Sequence, residues 1–135
     1  MTKEELRRVR TLTRQLNDLK ERLVSLKYLS TSVRSSWRME MQSTGGTSKI
    51  DDILIKMEAA QAEISAAERN LIAAKNELTQ KILTAIDDPT AQTLLIIYYV
   101  ECQSFRKTAR VLNYSLRQIF RLHDKILKDV IRCNA

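Results

Sequence analysis

From Val9 onward the apolar residues Val9, Leu12, Leu16, Leu19, Leu23 and Leu26 recur at alternating spacings of three and four. That repeat holds one stripe of an α-helix against a partner helix and does not fit the period-two alternation of a strand. It returns farther along the chain, where one position reads Ile50, Met57, Ile64, Leu71, Leu78 and Ala85 and the other reads Ile53, Ala60, Ala67, Ala74 and Lys81. Large side chains line one edge and mainly alanines the other, so two helix backbones can approach closely. Between the two seams, residues 30–49 hold nine Ser or Thr and both glycines of the chain, Gly45 and Gly46. That is the composition of a turn.

Two long helices are therefore expected, Lys3 to about Ser35 and about Ser48 to Ile86, paired antiparallel with the turn at about residues 36–48. With only two glycines and one proline in 135 residues, few points can break a helix, and the fold class is all-α. Trp37 is expected to pack rather than to stack on a base. Each helix of a lone hairpin buries one seam, which leaves the pair marginal in water. A homodimer or higher homo-oligomer is expected, held through Leu12, Leu16, Leu19, Leu23, Leu26, Ile64, Leu71 and Leu78.

Asp87-Asp88-Pro89 ends this first domain, residues 1–87, and opens a second, residues 88–135. Asp can cap a helix whose first residue is proline, where the missing N–H costs nothing. The run Leu94 to Val100, LLIIYYV, is β-prone by composition, but its position between a helix cap and further helical sequence makes it a buried helix. Ser104 can cap a short helix that stops at about Leu112. Asn113 tolerates a left-handed backbone, and Ser115 can cap the next helix from Leu116. A turn of that length between two short helices is the elbow of a DNA-binding helix-turn-helix.

On the last helix Leu116, Ile119, Leu122 or His123, Ile126, Leu127 and Val130 fall on the inward face. Arg117, Gln118, Arg121, Lys125 and Lys128 are left outward. Arg matches guanine O6 and N7, and Gln matches adenine N6 and N7, so Arg117, Gln118 and Arg121 are the expected base contacts. Arg106, Lys107, Arg110, Lys125 and Lys128 are the expected phosphate contacts, which set register rather than sequence. His123 is expected to pack.

Charge points to the same partner. The net charge of +7 is uneven: residues 1–49 carry eleven Lys/Arg against five Asp/Glu, residues 50–88 four against eight, and residues 89–135 eight against three. Basic ends suit a polyanion. Two distant cysteines, no CxxC and one histidine give no metal set or disulfide framework, and both thiols are expected to be reduced. No nucleophile–base pair or phosphate-binding glycine loop argues for an enzyme, and no cofactor is expected. The N-terminus lacks an apolar signal core and no run reaches the roughly 18–20 apolar residues of a membrane span, so a cytoplasmic location is expected.

Residues 88–131, and above all the run from Asn113 to His123, NYSLRQIFRLH, resemble the C-terminal, region-4 helix-turn-helix of sigma factors. Taken whole, the chain is similar to the ArpU/RinA-type late-gene regulators of phages and prophages of Gram-positive bacteria. The resemblance implies a transcriptional activator that binds promoter double-stranded DNA with host RNA polymerase in the bacterial cytoplasm, with Ser115, Arg117, Gln118 and Arg121 at the recognition positions. The chain departs from the sigma pattern in Asn113, where glycine is common, and in Arg106-Lys107, where acidic residues are common. No segment resembles the sigma domain that melts promoter DNA. The competing expectation is a coiled-coil adaptor or structural protein, or a small-terminase-like subunit of DNA packaging.

Overall fold

The computed structural model describes residues 1–39 and 47–133, with side chains for residues 1–32 and 50–131. The fold is all-α: α1 spans Lys3–Met39, α2 Thr47–Ala85, α3 Pro89–Leu95, α4 Phe105–Leu112 and α5 Leu116–Cys133. Among the described residues there is no strand. α1 continues to Met39, past the point near Ser35 where the sequence suggests a turn. Ser35 and Ser36 carry no glycine or proline penalty, and the two glycines come only later. The expected Gly45-Gly46 turn and the packing of Trp37 fall outside the described residues.

By contact the chain divides into two units. One comprises Met1–Thr13 with Asn70–Ala135, the other Arg14–Arg69. The division falls part-way along both long helices, whereas composition and caps suggest a boundary at Asp87-Asp88.

In the first unit α1 opens with a reciprocal capping box. The Thr2 N–H donates to Glu5 Oε2 at 3.0 Å and the Glu5 N–H to Thr2 Oγ1 at 3.2 Å. These bonds satisfy two donors that helix geometry leaves unpaired. Glu5 also receives Lys81 Nζ of α2 at 3.0 Å, with Glu77 on the other side of Lys81 at 3.2 Å. The Thr2 amide and then Lys81 hold the Glu5 carboxyl below its ordinary range.

The helical seam drifts along α2. Leu71, Ala74 and Leu78 are buried, but the next buried positions are Ile82 and Ile86; Lys81 is half-buried and Ala85 exposed. A real helix turns in 3.6 residues and departs from a 3.5 repeat unless it supercoils to follow it. On α1 the stripe begins earlier than the repeat suggests, because Leu6 is 1 % exposed.

α3 is capped by Asp88, whose Oδ1 accepts from the Thr90 N–H, with Pro89 in the first turn. The side-chain amide of Gln92 donates to the Ile86 carbonyl at the end of α2. The LLIIYYV run is helical, yet its last five residues, Ile96–Val100, form a π-helical turn closed by the Glu101 N–H on the Ile96 carbonyl at 2.9 Å. Leu94 and Leu95 are wholly buried there, as are Thr108 of α4 and Ile119 of α5. Cys102, a half-buried free thiol, follows with φ 55°. A left-handed non-glycine residue costs about 1–2 kcal/mol, and nothing in the sequence marks this one.

In the second unit Leu16, Leu23, Ala60 and Ile64 are buried, and Lys20 Nζ lies 3.8 Å from Glu68 Oε1. With Leu71 and Leu78 of the first unit, the expected oligomerisation residues are thus packed inside the chain, and Leu12, Leu19 and Leu26 are half-buried.

Candidate nucleic-acid interface

The site is built on two local devices. Ser104 Oγ accepts from the Lys107 N–H at 3.2 Å and starts α4. The helix ends on Asn113, which is left-handed at φ 59°, ψ 37°. The Tyr114 N–H then reaches the Ala109 carbonyl at 2.9 Å and the Asn113 N–H the Arg110 carbonyl at 3.4 Å. This is the Schellman pattern, and it closes the carbonyl end of α4.

Ser115 then starts α5 with a second capping box. Its Oγ accepts from the Gln118 N–H at 3.2 Å, and its own N–H donates to Gln118 Oε1 at 2.9 Å. Two of the four expected base-reading side chains are therefore tied to the backbone. Gln118 keeps its NH₂ group available, but a bidentate contact to adenine also needs Oε1, so the box would have to open. Arg117 and Arg121 are exposed and carry no such tie.

Arg106, Lys107 and Arg110 are exposed on α4, and Lys125 and Lys128 on α5. Beneath them Thr108, Ala109, Ile119, Ile126 and Val130 are buried. The inward face of α5 matches expectation except at Leu116, which is 37 % exposed; at the first position of a helix no preceding turn covers the side chain. Sequence reasoning also passed over Asp124. Three residues after Arg121 and four before Lys128, it shares their outward stripe with its side chain 75 % exposed, a negative charge among the expected phosphate contacts.

An aromatic cluster fixes α5 from behind. His123 Nε2 lies 2.7 Å from the Tyr99 hydroxyl, and its ring stacks on Tyr99 and meets Phe105 edge-on with centroids 5.0 Å apart. Burial lowers the His123 pKa and Asp124, with Oδ1 3.9 Å from Nδ1, raises it by less. Burial, then Tyr98, pushes the Tyr99 hydroxyl up to about 12. Near neutrality Tyr99 therefore keeps its proton and can donate it to a neutral His123.

Tyr98 stacks on Phe105 with centroids 3.9 Å apart, and the Arg10 guanidinium lies 4.3 Å from the same ring centre. Arg10 Nη2 also donates to the Tyr98 carbonyl at 3.0 Å. Repeat spacing and charge place Arg10 among the solvated arginines of α1, so this role has no sequence signal.

Among the described residues no group of three His, Cys, Asp or Glu could hold a metal, and no helix is long and apolar enough to cross a membrane. Comparison with curated proteins and with solved structures gives no match. A family model described as protein of unknown function, DUF1492, matches residues 29–130, from the later part of α1 to the last turns of α5. The chain belongs to that family.

Proposed function

We propose that this protein is a sequence-specific double-stranded DNA-binding transcriptional regulator, an activator of phage late genes of the ArpU/RinA type that acts at promoter DNA with host RNA polymerase. The observation that carries the reading is the α4–turn–α5 geometry. A Schellman end and a capping box join two short helices, and Arg117 and Arg121 stand exposed in the first two turns of the second. Arginine there suits guanine in a major groove, and Arg106, Lys107 and Arg110 on the preceding helix suit phosphates. On this reading the protein acts as an accessory to the polymerase.

The test is binding to fragments of the phage genome that encodes the protein, followed by alanine scanning on the bound fragment. Arg117→Ala or Arg121→Ala is expected to cost about 1–3 kcal/mol on the specific site and little on random duplex. Arg106→Ala or Lys107→Ala should weaken both duplexes alike and lower the salt slope by about 0.9 per lost contact. Absence of binding at low salt would sink the proposal. It would favour a protein-binding adaptor, a reading that the exposed apolar residues Val111, Tyr114, Leu116 and Phe120 beside the basic ones support.

A further inference from the structure

Ile86, Ala91, Ile126 and Val130 form the apolar floor of a groove of about 330 Å³ between the end of α2, α3 and α5. Its rim carries three carboxylates, Asp87, Asp88 and Asp129, against one cation, Lys125. Asp88 is engaged as the α3 cap. Neither Asp87 nor Asp129 forms an ion pair among the described residues. Asp87 and Asp88 close the acidic stretch 50–88, and Asp129 is one of three Asp/Glu against eight Lys/Arg in residues 89–135. The groove lies at the small end of the range for pockets that hold a ligand, and it is large enough for one or two apolar side chains.

A surface of matching chemistry lies on α1. Lys20, Val24, Lys27 and Tyr28 follow one another at spacings of four, three and one, which puts them on one helix face. Lys20 and Lys27 edge the buried Leu16–Leu23 stripe, each one turn after a member of it, and Val24 and Tyr28, farther round the helix, are 65 % and 73 % exposed. Lys20 meets Glu68 only in an exposed 3.8 Å pair, which holds it weakly. Lys27 forms no ion pair among the described residues.

We propose that the groove receives this stripe from a second copy of the chain. Val24 and Tyr28 cover Ile86, Ala91, Ile126 and Val130, and Lys20 and Lys27 meet Asp87 and Asp129. A second copy is the occupant that the chemistry favours, because it brings two apolar side chains flanked by two cations to an apolar floor flanked by two carboxylates. Every copy carries both a groove and a stripe, so copies of this chain suffice for the contact. This assembly does not depend on the DNA-binding reading, and it uses surface other than the Leu12–Leu26 seam.

Sedimentation and light scattering on the full chain across the micromolar range test it. The wild-type protein is expected to self-associate, and more weakly as salt rises. Asp129→Lys and Lys27→Asp should each weaken association about tenfold or more, Tyr28→Ser should do the same, and the charge-swapped double variant should recover much of the loss. Unchanged helical content by circular dichroism would show that the variants fold. A wild-type monomer throughout would overturn the proposal. So would an oligomer indifferent to Asp129→Lys and Tyr28→Ser, which would place the interface elsewhere. DNA binding measured on the same variants at low salt separates this outcome from failure of the functional reading.

Discussion

The Tyr99 hydroxyl and His123 Nε2, 24 residues apart in sequence, meet at 2.7 Å and join the π-helical turn to the helix that carries Arg117 and Arg121. The bond needs an unprotonated Nε2 if Tyr99 is the donor, and the lowered pKa of His123 favours that state near neutral pH. Because the folded pKa lies below the unfolded value of about 6.5, the unfolded chain binds more protons as pH falls. This contribution to stability is complete above about 6.5 and is lost as pH drops toward the folded pKa. Urea midpoints between pH 8 and pH 5 should decline on the acid side, and His123→Phe should flatten the part of the slope due to this group. Tyr99→Phe should cost about 1 kcal/mol at pH 7.5.

Asn113 occupies a left-handed position that closes α4. Asn113→Gly should leave thermal stability unchanged or raise it by a few tenths to about 1 kcal/mol, because glycine adopts this conformation without a Cβ penalty. Asn113→Val should lose about 1–2 kcal/mol. Equal stability of the two variants in thermal melts would mean that this backbone conformation is not what ends α4.

Ser115 and Gln118 hold one another's backbone N–H groups. Ser115→Ala should cost about 1 kcal/mol of stability, Gln118→Ala somewhat less, and the double variant less than the sum because the pair acts as a unit. A denaturation cycle with additive losses would break the capping box. If DNA affinity changes in these variants, it should be compared with this folding effect before either residue is assigned to a base.

Arg10 presents its guanidinium to the Tyr98 ring and donates to the Tyr98 carbonyl, with Nε buried and unpartnered. Arg10→Ala should lower stability by about 2 kcal/mol. Arg10→Lys should recover less than half of that, since an ammonium lacks the planar fork that stacks and donates at once. Full recovery in the lysine variant, read from urea midpoints, would reduce Arg10 to a point charge.

What was legible in the chain was mostly local. Asp88-Pro89, Ser104, Asn113 and Ser115 punctuate the helices where their own side chains bond the adjacent backbone, and that chemistry needs no tertiary context. The repeat through Leu16, Leu23, Ile64 and Leu71 identified the buried stripe for the same reason. The shift from Leu78 to Ile82 and Ile86 was hidden because it depends on how far the helices supercoil. Leu116 looked inward by spacing alone. Arg10 on Tyr98 was beyond reach because charged residues of a heptad helix are ordinarily solvated, and no local signal names a partner 88 residues away. Within the candidate site the outward basic residues were readable. The engagement of Ser115 and Gln118 was not, because one side chain can cap or can read a base and spacing does not choose.

Because Arg10 pairs with Tyr98, 88 residues later, that contact cannot form when α1 leaves the ribosome. At about 5–20 residues per second, synthesis takes roughly 4–18 s to go from Arg10 to Tyr98. Until then Arg10 lacks both the ring and the carbonyl that it engages in the folded chain, while the Glu5–Lys81 pair can already form. The unit that contains both chain ends can be completed only after the Arg14–Arg69 segment has been made.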